Sequence, residues 1–468
     1  MIRVILKGHD NSYGISDVLR LFCSNVRENK QDKIVTADYP DDIEVISEVY
    51  DDQVYTYNSG ETRYKTGDYP SIPIKREVKR SLYLYMVNLT GKHFPWGCLT
   101  GIRPTVVASE VNYDHLKLSE EYLVRGDKAR LACLTASNES EVLRSIPKED
   151  INIYIGVPFC PSRCEYCSFI SADATKHLSV LDKYEDALER ELEMIGGSLS
   201  RRVSSVYIGG GTPTVFSDLT FEKLMDAVGK YIPFDSETEF TVEAGRPDTI
   251  SRQKLLCMKD HNVGRICINP QTMNSDTLKK LNRHHSAEDI IRVYEQAREI
   301  GFDVINMDLI AGLKYETGND LIDSVRTIID MKPENITVHS LYKKRRAVIS
   351  IEDVLDKENS RGDIDSAVNK CYELIKSAGY IPYYMYRQKD TGHGLENIGF
   401  SLPGTECKYN VAMMTDSRDV LSVGAGGMSK RIFEGGRYER CSCTKDIYDY
   451  IGDPVKFACR KLDFFNQT

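Results

Sequence analysis

The sequence contains no apolar run long enough to cross a membrane. A membrane-spanning helix needs roughly 18 or more consecutive apolar residues, and every hydrophobic stretch of this chain is shorter. The first residues, Met1 to Asp10, also lack the long apolar core of a signal peptide. We therefore expect a cytoplasmic protein without a membrane span.

An excess of positive charge is also absent. The chain has 61 lysines and arginines against 70 aspartates and glutamates, which gives a net charge of −9. Such a surface disfavours nucleic acid and anionic membranes as partners.

Tryptophan is nearly absent too. The single one, Trp96, lies in the glycine- and proline-rich stretch 94–104, which we interpret as a domain-packing turn rather than a substrate contact.

Disulfides are not expected, because the thirteen cysteines of a cytoplasmic chain are normally reduced. Cys160, Cys164 and Cys167 have the spacing C-x3-C-x2-C and follow an apolar stretch, 151–159, that predicts a buried strand. Thiolates favour soft metals and iron–sulfur clusters. Three such ligands would hold three irons of a 4Fe–4S cluster and leave the fourth open. The alternatives are ordinary core or disulfide cysteines, or a zinc site, which would usually need a fourth nearby Cys or His.

A repeated strand–helix pattern begins at this motif. The six predicted strands span residues 151–159, 203–208, 238–243, 265–270, 304–310 and 336–341. Alternation of strands and amphipathic helices predicts an α/β fold with a parallel sheet. Six units are too few for a closed eight-stranded barrel, so we expect an open three-quarter (β/α)6 barrel over residues 149–345. Residues 1–148 predict an N-terminal α+β accessory domain, and residues 346–468 a C-terminal α+β extension that covers the active site.

Polar or glycine-rich residues follow several of these strands. The second strand ends in the Gly-Gly-Gly-Thr-Pro-Thr turn, 209–214, where glycines let a ligand approach the backbone closely. Glu243, Gln271 and Asp308 stand at the ends of the next three strands, and Arg283 follows Gln271 by one helix. Loop solvation explains any one of these residues alone. Together, at equivalent positions of successive repeats, they predict a polar ligand site.

The cysteine motif after the strand that contains Tyr154, the 209–214 turn and the polar strand ends resemble the radical S-adenosylmethionine (SAM) superfamily. Within it, the chain is similar to the oxygen-independent coproporphyrinogen III dehydrogenase (oxidase) family. The N-terminal region and the segments 241–248 and 337–346 look most like its HemZ-type branch. The resemblance implies that Cys160, Cys164 and Cys167 bind one 4Fe–4S cluster. It also implies one or two S-adenosylmethionine molecules, contacted by Tyr154, Tyr166, Gly210, Gly211, Thr212, Glu243, Gln271, Arg283 and Asp308.

The reaction that the resemblance implies belongs to haem biosynthesis. Reductive cleavage of S-adenosylmethionine gives a 5′-deoxyadenosyl radical, which takes a hydrogen from a propionate side chain of coproporphyrinogen III. Loss of CO2 then leads to protoporphyrinogen IX. Such an enzyme needs an electron donor such as flavodoxin or ferredoxin. The tetrapyrrole carboxylates need cations, for which Lys344, Arg345, Arg346 and Arg387 are candidates, although the run 343–346 is equally explained as a solvated charge cluster.

Three departures from the family pattern affect this interpretation. Phe169 stands where the best-known dehydrogenases have a further cysteine, which matches the relatives that act as haem chaperones as well as the HemZ-type branch. A haem chaperone, or a radical enzyme acting on another tetrapyrrole, is therefore an alternative. Lys314 replaces a usual proline, which predicts a local loop change. Cys407, Cys441, Cys443 and Cys459 could hold a second metal, although isolated thiols explain their irregular spacing better.

Overall fold

A computed structural model describes residues 1–58, 64–66, 72–167, 171–341, 361–388 and 394–466 of the chain. By its internal contacts the chain divides into two units. The first comprises Met1–Ser137 with Met385–Glu396, and the second comprises Asn138–Tyr384 with Asn397–Thr468. The domain boundaries expected at residues 148 and 345 remain predictions. Within the described ranges, no helix combines the length and the apolar composition that crossing a membrane requires.

The first unit is built on a six-stranded mixed sheet in the order β2-β3-β1-β4-β5-β6. Its strands are β1 (Ile2–Lys7), β2 (Ser24–Asn29), β3 (Ile34–Asp38), β4 (Ile43–Tyr50), β5 (Gln53–Asn58) and β6 (Tyr64–Thr66). Its helices are α1 (Ser12–Phe22), α2 (Ile74–Thr90), α3 (Pro104–Glu110), α4 (His115–Tyr122) and the greater part of α5 (Gly126–Arg144). Alternate residues of β1 are buried, and α1 packs against β2 and β3 whereas α2 packs against β4, β5 and β6 of the same sheet.

Trp96 lies in the interior of this unit. Its indole nitrogen donates a hydrogen bond of 2.8 Å to Glu396, whose other carboxylate oxygen accepts 2.6 Å from the ammonium of Lys128. All three side chains are buried. A buried carboxylate is tolerated when it is paired and hydrogen-bonded, so these contacts tie the 385–396 segment to the helical part of the same unit. They fit the packing role expected of the Trp96 turn.

The second unit contains an eleven-stranded sheet in the order β15-β16-β14-β13-β12-β11-β10-β7-β17-β18-β19. Its strands are β7 (Ile151–Val157), β10 (Val203–Gly210), β11 (Glu239–Gly245), β12 (Arg265–Ile268), β13 (Val304–Ala311), β14 (Asn335–Ser340), β15 (Ile381–Tyr386), β16 (Asn397–Ser401), β17 (Asp419–Val423), β18 (Met428–Ile432) and β19 (Tyr438–Ser442). The strands β8 (Phe159–Cys160) and β9 (Ala172–Asp173) form a separate two-stranded pair. The six strands from β7 to β14 in the eleven-stranded sheet run parallel in sequence order, as the repeats predicted.

Helices follow the parallel strands and pack on their apolar side. They are α6 (Leu178–Gly196), α7 (Asp218–Tyr231), α8 (Arg252–Asp260), α9 (Ser275–Lys280), α10 (Ala287–Ile300) and α11 (Gly318–Met331). Later helices are α12 (Arg361–Ser377), α13 (Lys408–Thr415), α14 (Ile447–Gly452) and α15 (Pro454–Asn466). Short 3-10 turns span Ala174–Lys176, Pro213–Val215, Pro247–Thr249 and Glu434–Gly436.

Side chains alternate strictly along the parallel strands. One set is aliphatic and fully buried: Ile153, Ile155, Val206, Ile208, Val242, Ile266, Ile305, Met307 and Leu309. The other set, displaced by one residue, is polar or aromatic: Tyr154, Tyr207, Glu243, Cys267, Asn306, Asp308 and Thr337. Register pairs Tyr154 with Tyr207, and Asp308 with Thr337. Because strand residues two apart share a face, one face of the sheet carries the polar groups and the other packs against the helices.

The C-terminal part of the chain supplies both flanks of the parallel core. β16 pairs antiparallel with β14, and β17 pairs parallel with β7. Asn152 on β7 also donates a side-chain hydrogen bond to the carbonyl oxygen of Asp419, 267 residues later. The strand that leads into the cysteine motif, β7, is therefore enclosed between β10 and β17.

Candidate functional site

The cysteine motif forms a loop that is fixed to the segment after α9. Ser162 donates a hydrogen bond of 2.9 Å to the carbonyl oxygen of Asn282, whose amide donates 3.0 Å to that of Arg163. The backbone amide of Glu165 donates to the carbonyl oxygen of Leu281. These contacts hold the loop at the carboxyl ends of the strands, where Cys164 is buried and Cys160 and Cys167 are partly exposed.

Donor groups lie near the sulfurs of Cys160 and Cys164. The Thr212 hydroxyl lies 3.6 Å from the sulfur of Cys160. The guanidinium groups of Arg246 and Arg283 lie 4.0 and 3.9 Å from the sulfur of Cys164. Burial raises the pKa of the Cys160 thiol, and the Thr212 contact opposes this rise. Two cationic side chains therefore lie beside the sulfur of Cys164, and the thiolate is the form of cysteine that binds metal.

The donor set fits an iron–sulfur cluster. Among the described residues, no three His, Cys, Asp or Glu side chains are arranged to hold a single metal ion. A four-iron cluster does not need such convergence, because each iron takes its own thiolate. Hydrogen bonds to the sulfurs, as from Thr212, are one of the ways in which proteins tune such clusters.

The glycine turn after β10 packs directly against the cysteine strand. The amides of Gly211 and Thr212 donate to the carbonyl oxygens of Val157 and Phe159 at 2.8 and 2.7 Å. A Cβ atom at Gly211 would stand 2.4 Å from the carbonyl oxygen of Phe159. Gly210 has a φ of 111°, in the region that favours glycine. Only glycine permits this approach of the two backbones.

Three tyrosine rings lie together beside this turn. Tyr207 stacks on Tyr409 at 4.4 Å between ring centroids, and Tyr154 lies 6.0 Å from Tyr409 and 6.4 Å from Tyr207. The Tyr207 hydroxyl donates a hydrogen bond of 2.6 Å to Glu243. The second carboxylate oxygen of Glu243 accepts 3.3 Å from the amide of Gly210. This connects Glu243 to the glycine turn.

Two acids and an imidazole share the polar face. Burial, opposed by the Tyr207 hydrogen bond and reinforced by the charge of Asp308, raises the pKa of Glu243 to about 7. Burial alone would also raise the pKa of Asp308, but hydrogen bonds from His339 and Asn306 hold it below its ordinary value. His339 lies 3.6 Å from Asp308. Its own pKa is raised, because Asp308 and Asn397 outweigh the effect of burial.

Gln271 has an unusual backbone and an unsatisfied side chain. Its φ is 70°, which is uncommon for a residue with a Cβ. Its amide donates to the carbonyl oxygen of Asp308, and its carbonyl accepts from the amide of Ile310. The side-chain oxygens of Gln271 and Asn269 are buried and accept no hydrogen bond from the described residues. An unpaired buried acceptor costs about 1–3 kcal/mol, so both oxygens are suited to a donor on a ligand.

Arg283 connects this group to the cysteine loop. Its guanidinium donates 2.9 Å to the Tyr166 hydroxyl and 2.6 Å to the carbonyl oxygen of Asn269. Burial alone would lower the pKa of Arg283, but the phenol of Tyr166 and the thiol of Cys164 raise it. Thus each residue expected to contact S-adenosylmethionine lies in one connected set of contacts with the cysteines. Their roles remain predictions.

Several residues of this site were missed by the sequence reasoning. Arg246 donates to Ser162 at 2.8 Å and forms a two-point contact with Asp248 at 3.0 and 2.8 Å. Asp248 also lies 3.5 Å from His285. His339 was missed as well. Arg246 could have been identified in the sequence because it lies just after the third strand. His339 could have been identified because it lies two residues beyond Thr337, on the same face of the strand.

The structure describes one of the four candidate substrate cations. Lys344, Arg345 and Arg346 fall outside the described residues, as does Phe169. Arg387 belongs to the first unit. Its guanidinium donates 2.5 Å to the carbonyl oxygen of Leu99 and lies over the ring of Trp96. Burial lowers the pKa of Arg387 to about 10. Its role in substrate binding stays a prediction.

The cysteines considered for a second metal lie on or next to three different elements of the second unit. Cys407 is buried and its thiol donates 3.2 Å to Glu239. Cys441 is paired in register with Ser429 of β18, and Cys459 is exposed on α15. Lys314, the departure in the loop after β13, lies 3.9 Å from Glu165 of the cysteine loop.

Comparison with known proteins places this site in a family. Residues 154–328 match the model of the radical SAM superfamily. Oxygen-independent coproporphyrinogen-III oxidase-like protein HemZ of Bacillus subtilis is 34% identical over 430 residues, which cover 87% of this chain and 85% of HemZ. The chain belongs to the HemZ-like family of radical SAM proteins. The cofactors of this superfamily are a 4Fe–4S cluster and S-adenosylmethionine.

The chain is also similar to a heme chaperone and to a solved oxidase structure. Heme chaperone HemW of Bacillus subtilis is 31% identical over 278 residues, covering 58% of this chain and 69% of HemW. The structure of coproporphyrinogen III oxidase (HemN) from Escherichia coli has a TM-score of 0.53 at 20% identity, covering 68% of this chain and 72% of HemN. At this identity the HemN match establishes the fold, and the α/β radical SAM architecture predicted from the repeats is confirmed.

Proposed function

We propose that this protein is a radical SAM enzyme that oxidatively decarboxylates coproporphyrinogen III to protoporphyrinogen IX. The observation that carries the proposal is the similarity to the oxidase-like HemZ, because it extends over 430 residues and is not restricted to the radical SAM core. The polar sheet face next to the cysteines supports it, since it offers both acids and donors to a charged cofactor.

In this proposal Cys160, Cys164 and Cys167 hold the 4Fe–4S cluster. When bound, the cluster and S-adenosylmethionine together supply a hydrogen-abstracting carbon radical by one-electron reductive cleavage of the sulfonium. Arg246 and Arg283 place their guanidinium groups beside the sulfur of Cys164. Arg246 also holds Ser162 and thereby orients the cysteine loop. Positioning is the principal contribution of the chain's own residues.

The remaining residues bind and orient S-adenosylmethionine. We assign Glu243 and the turn from Gly210 to Thr212 to the methionyl ammonium, which the Glu243 carboxylate would pair. Arg283 and the unpaired oxygen of Gln271 contact the methionyl and ribosyl groups, and Asp308 accepts from ribose hydroxyls. Tyr154 and Tyr166 lie beside the cofactor. Together with Tyr207 and Tyr409, the ring of Tyr154 excludes water from the reacting carbon.

The test is an anaerobic assay of reconstituted protein with a reductant, S-adenosylmethionine and coproporphyrinogen III. We expect 5′-deoxyadenosine, CO2 and divinyl product in fixed proportion. A protein that cleaves S-adenosylmethionine but leaves every propionate intact would rule out this substrate. The Glu243→Gln variant serves as the control, because it should lose cleavage and product together.

A haem chaperone is the second candidate, favoured by the 31% identity with HemW. In that case the protein binds one equivalent of haem tightly and transfers it to an acceptor protein, with no vinyl product. A haem titration followed by a transfer assay separates the two functions. Radical chemistry on another tetrapyrrole predicts cleavage of S-adenosylmethionine that is stimulated by that tetrapyrrole and not by coproporphyrinogen III.

We also propose a cytoplasmic location and a flavodoxin or ferredoxin as electron donor. Lys344, Arg345, Arg346 and Arg387 remain the proposed partners of the substrate carboxylates. Removal of charge at Arg345 and Arg346 should weaken porphyrinogen binding and leave reductive cleavage of S-adenosylmethionine intact. Unchanged porphyrinogen affinity would contradict that assignment.

A further inference from the structure

A basic surface lies next to the cysteine loop, on a protein whose net charge is −9. It is formed by Arg163 in the loop, by Lys279 and Lys280 at the end of α9, by His284 and by Lys314. All of these side chains are exposed except Lys314, which is partly exposed. We call these five residues the basic surface.

Direct contacts join the members of the basic surface to the cysteine loop. The side chain of Asn282, which follows the two lysines, donates to the carbonyl oxygen of Arg163 at 3.0 Å. The Tyr315 hydroxyl donates 3.1 Å to Glu165, the residue between Cys164 and Tyr166. The ammonium groups of Lys280 and Lys314 lie 5.4 and 5.5 Å from the centroid of the Tyr315 ring. The surface is therefore continuous from α9 to the cysteines.

The charges at this surface do not cancel. Glu165 is a carboxylate within it and lies 3.9 Å from Lys314. Asp276 lies on the same helix, about one turn before Lys279 and Lys280. Two carboxylates thus face four cationic side chains and one imidazole. Beneath them, the buried guanidinium groups of Arg246 and Arg283 add charge of the same sign, and Asp248 pairs with Arg246. The side chains named here therefore carry a net positive charge, whereas the net charge of the whole chain is −9.

We propose that the basic surface docks an acidic one-electron carrier protein. This inference rests on the proposed radical SAM function, which requires one electron to reach the cluster for each cleavage of S-adenosylmethionine. In the transfer step the carrier loses one electron and the cluster gains it, with no proton transferred. Complementary charge speeds such encounters and aligns the partners. Docking here brings the carrier to the loop that contains Cys164 and Cys167.

The test compares two charge-reversal variants of the reconstituted holoprotein. Lys279→Glu/Lys280→Glu alters the basic surface. Lys148→Glu/Lys230→Glu makes the same change in net charge at exposed positions before β7 and at the end of α7, which lie toward the opposite ends of the strands. An acidic bacterial flavodoxin is the probe, and its dissociation constant is measured by anaerobic titration at low and high salt.

We expect the basic-surface variant to bind flavodoxin at least tenfold more weakly than the unaltered protein. High salt should also weaken the binding of flavodoxin to the unaltered protein. With flavodoxin as reductant, formation of 5′-deoxyadenosine should slow at least tenfold. With dithionite as reductant, the variant and the unaltered protein should form 5′-deoxyadenosine at the same rate. An equal loss of flavodoxin affinity in the two variants, or no loss of affinity in either, would overturn the proposal.

Both readouts omit coproporphyrinogen III, so they stay valid if the substrate assignment fails. A further outcome also overturns the proposal. If the basic-surface variant keeps flavodoxin affinity but loses affinity for a porphyrinogen, the surface binds the carboxylates of the tetrapyrrole instead. If dithionite gives no cleavage in any variant while flavodoxin affinity depends on the two lysines, the radical SAM function fails and the docking surface stands.

Discussion

His339 and Asp308 form an ion pair of 3.6 Å on the polar face of the parallel sheet, between adjacent strands. The pKa of His339 is raised from 6.5 and that of Asp308 is lowered from 3.8. Both shifts come from the pair itself and from hydrogen bonds, acting against burial. Their directions fix the pH range in which the pair contributes to stability.

The first prediction concerns stability and pH. A raised histidine pKa gives stability that is fully present below pH 6.5 and is lost as pH rises through the folded-state pKa. The lowered aspartate pKa gives stability that is lost only as pH falls below 3.8. His339→Gln should therefore destabilise the protein by about 1 kcal/mol near pH 6 and by less near pH 9. Anaerobic thermal unfolding at both pH values measures this, with the exposed His93→Gln as control. A destabilisation by His339→Gln that grows with pH would contradict this prediction.

The second prediction concerns cofactor binding and pH. Because the pKa of Glu243 is about 7, its carboxylate is scarce at pH 6 and dominant at pH 8. If this carboxylate binds the methionyl ammonium, affinity for S-adenosylmethionine should rise about tenfold between these pH values. Glu243→Gln should bind weakly and without this pH dependence. Equilibrium dialysis under anaerobic conditions gives both curves, and a pH-dependent variant would refute the assignment.

The third prediction concerns the glycine turn. In Gly211→Ala the new methyl group would stand 2.4 Å from the carbonyl oxygen of Phe159. The backbone must move to relieve it, at a cost of about 1–3 kcal/mol, and the Thr212 hydroxyl should move away from the sulfur of Cys160. We expect a lower unfolding temperature and less iron per chain after reconstitution.

Gly264→Ala is the matched control for that experiment. No atom lies within 4 Å of a Cβ placed at Gly264. The φ of Gly264 is also outside the left-handed region. The free energy of unfolding of the Gly264→Ala variant should therefore change by less than about 0.5 kcal/mol. Equal iron content in the two variants would mean that the turn does not support the cluster.

The fourth prediction concerns the number of clusters. Replacement of Cys160, Cys164 and Cys167 by alanine should remove all bound iron and acid-labile sulfide. Cys407→Ser should keep a full complement, because that thiol already contacts Glu239. Iron and sulfide analysis of reconstituted proteins decides this. Residual iron in the triple variant would instead point to a second centre among Cys407, Cys441, Cys443 and Cys459.

The parallel core and the convergence of polar residues at its strand ends could be predicted because both depend on local patterns. Alternating aliphatic runs and the helices between them predicted the six strands to within a few residues. Polar residues at strand ends then had to converge, since parallel strands share one carboxyl edge. Glu243, Gln271 and Asp308 are connected through backbone and charge contacts for this reason.

The parts that could not be predicted depend on distant pairing or weak local signals. The strands β2 and β3 are short and partly polar, so no alternation identified them. The strand β17 is mostly apolar, but its parallel pairing with β7 depends on the tertiary fold. Arg246 resembles any loop arginine in the sequence, and only its contacts with Ser162 and Asp248 distinguish it.

The pairing of β7 with β17 affects when this protein can mature during synthesis. The strand that leads into the cysteine loop needs a neighbour made 267 residues later, as the bond from Asn152 to Asp419 illustrates. A ribosome-bound chain will therefore carry its three thiols on an unfinished sheet until β17 has emerged. Cluster delivery before that moment would meet an open, oxidisable edge. Assembly factors should accordingly act after β17 has paired, and truncations before residue 423 should yield iron-free, aggregation-prone protein.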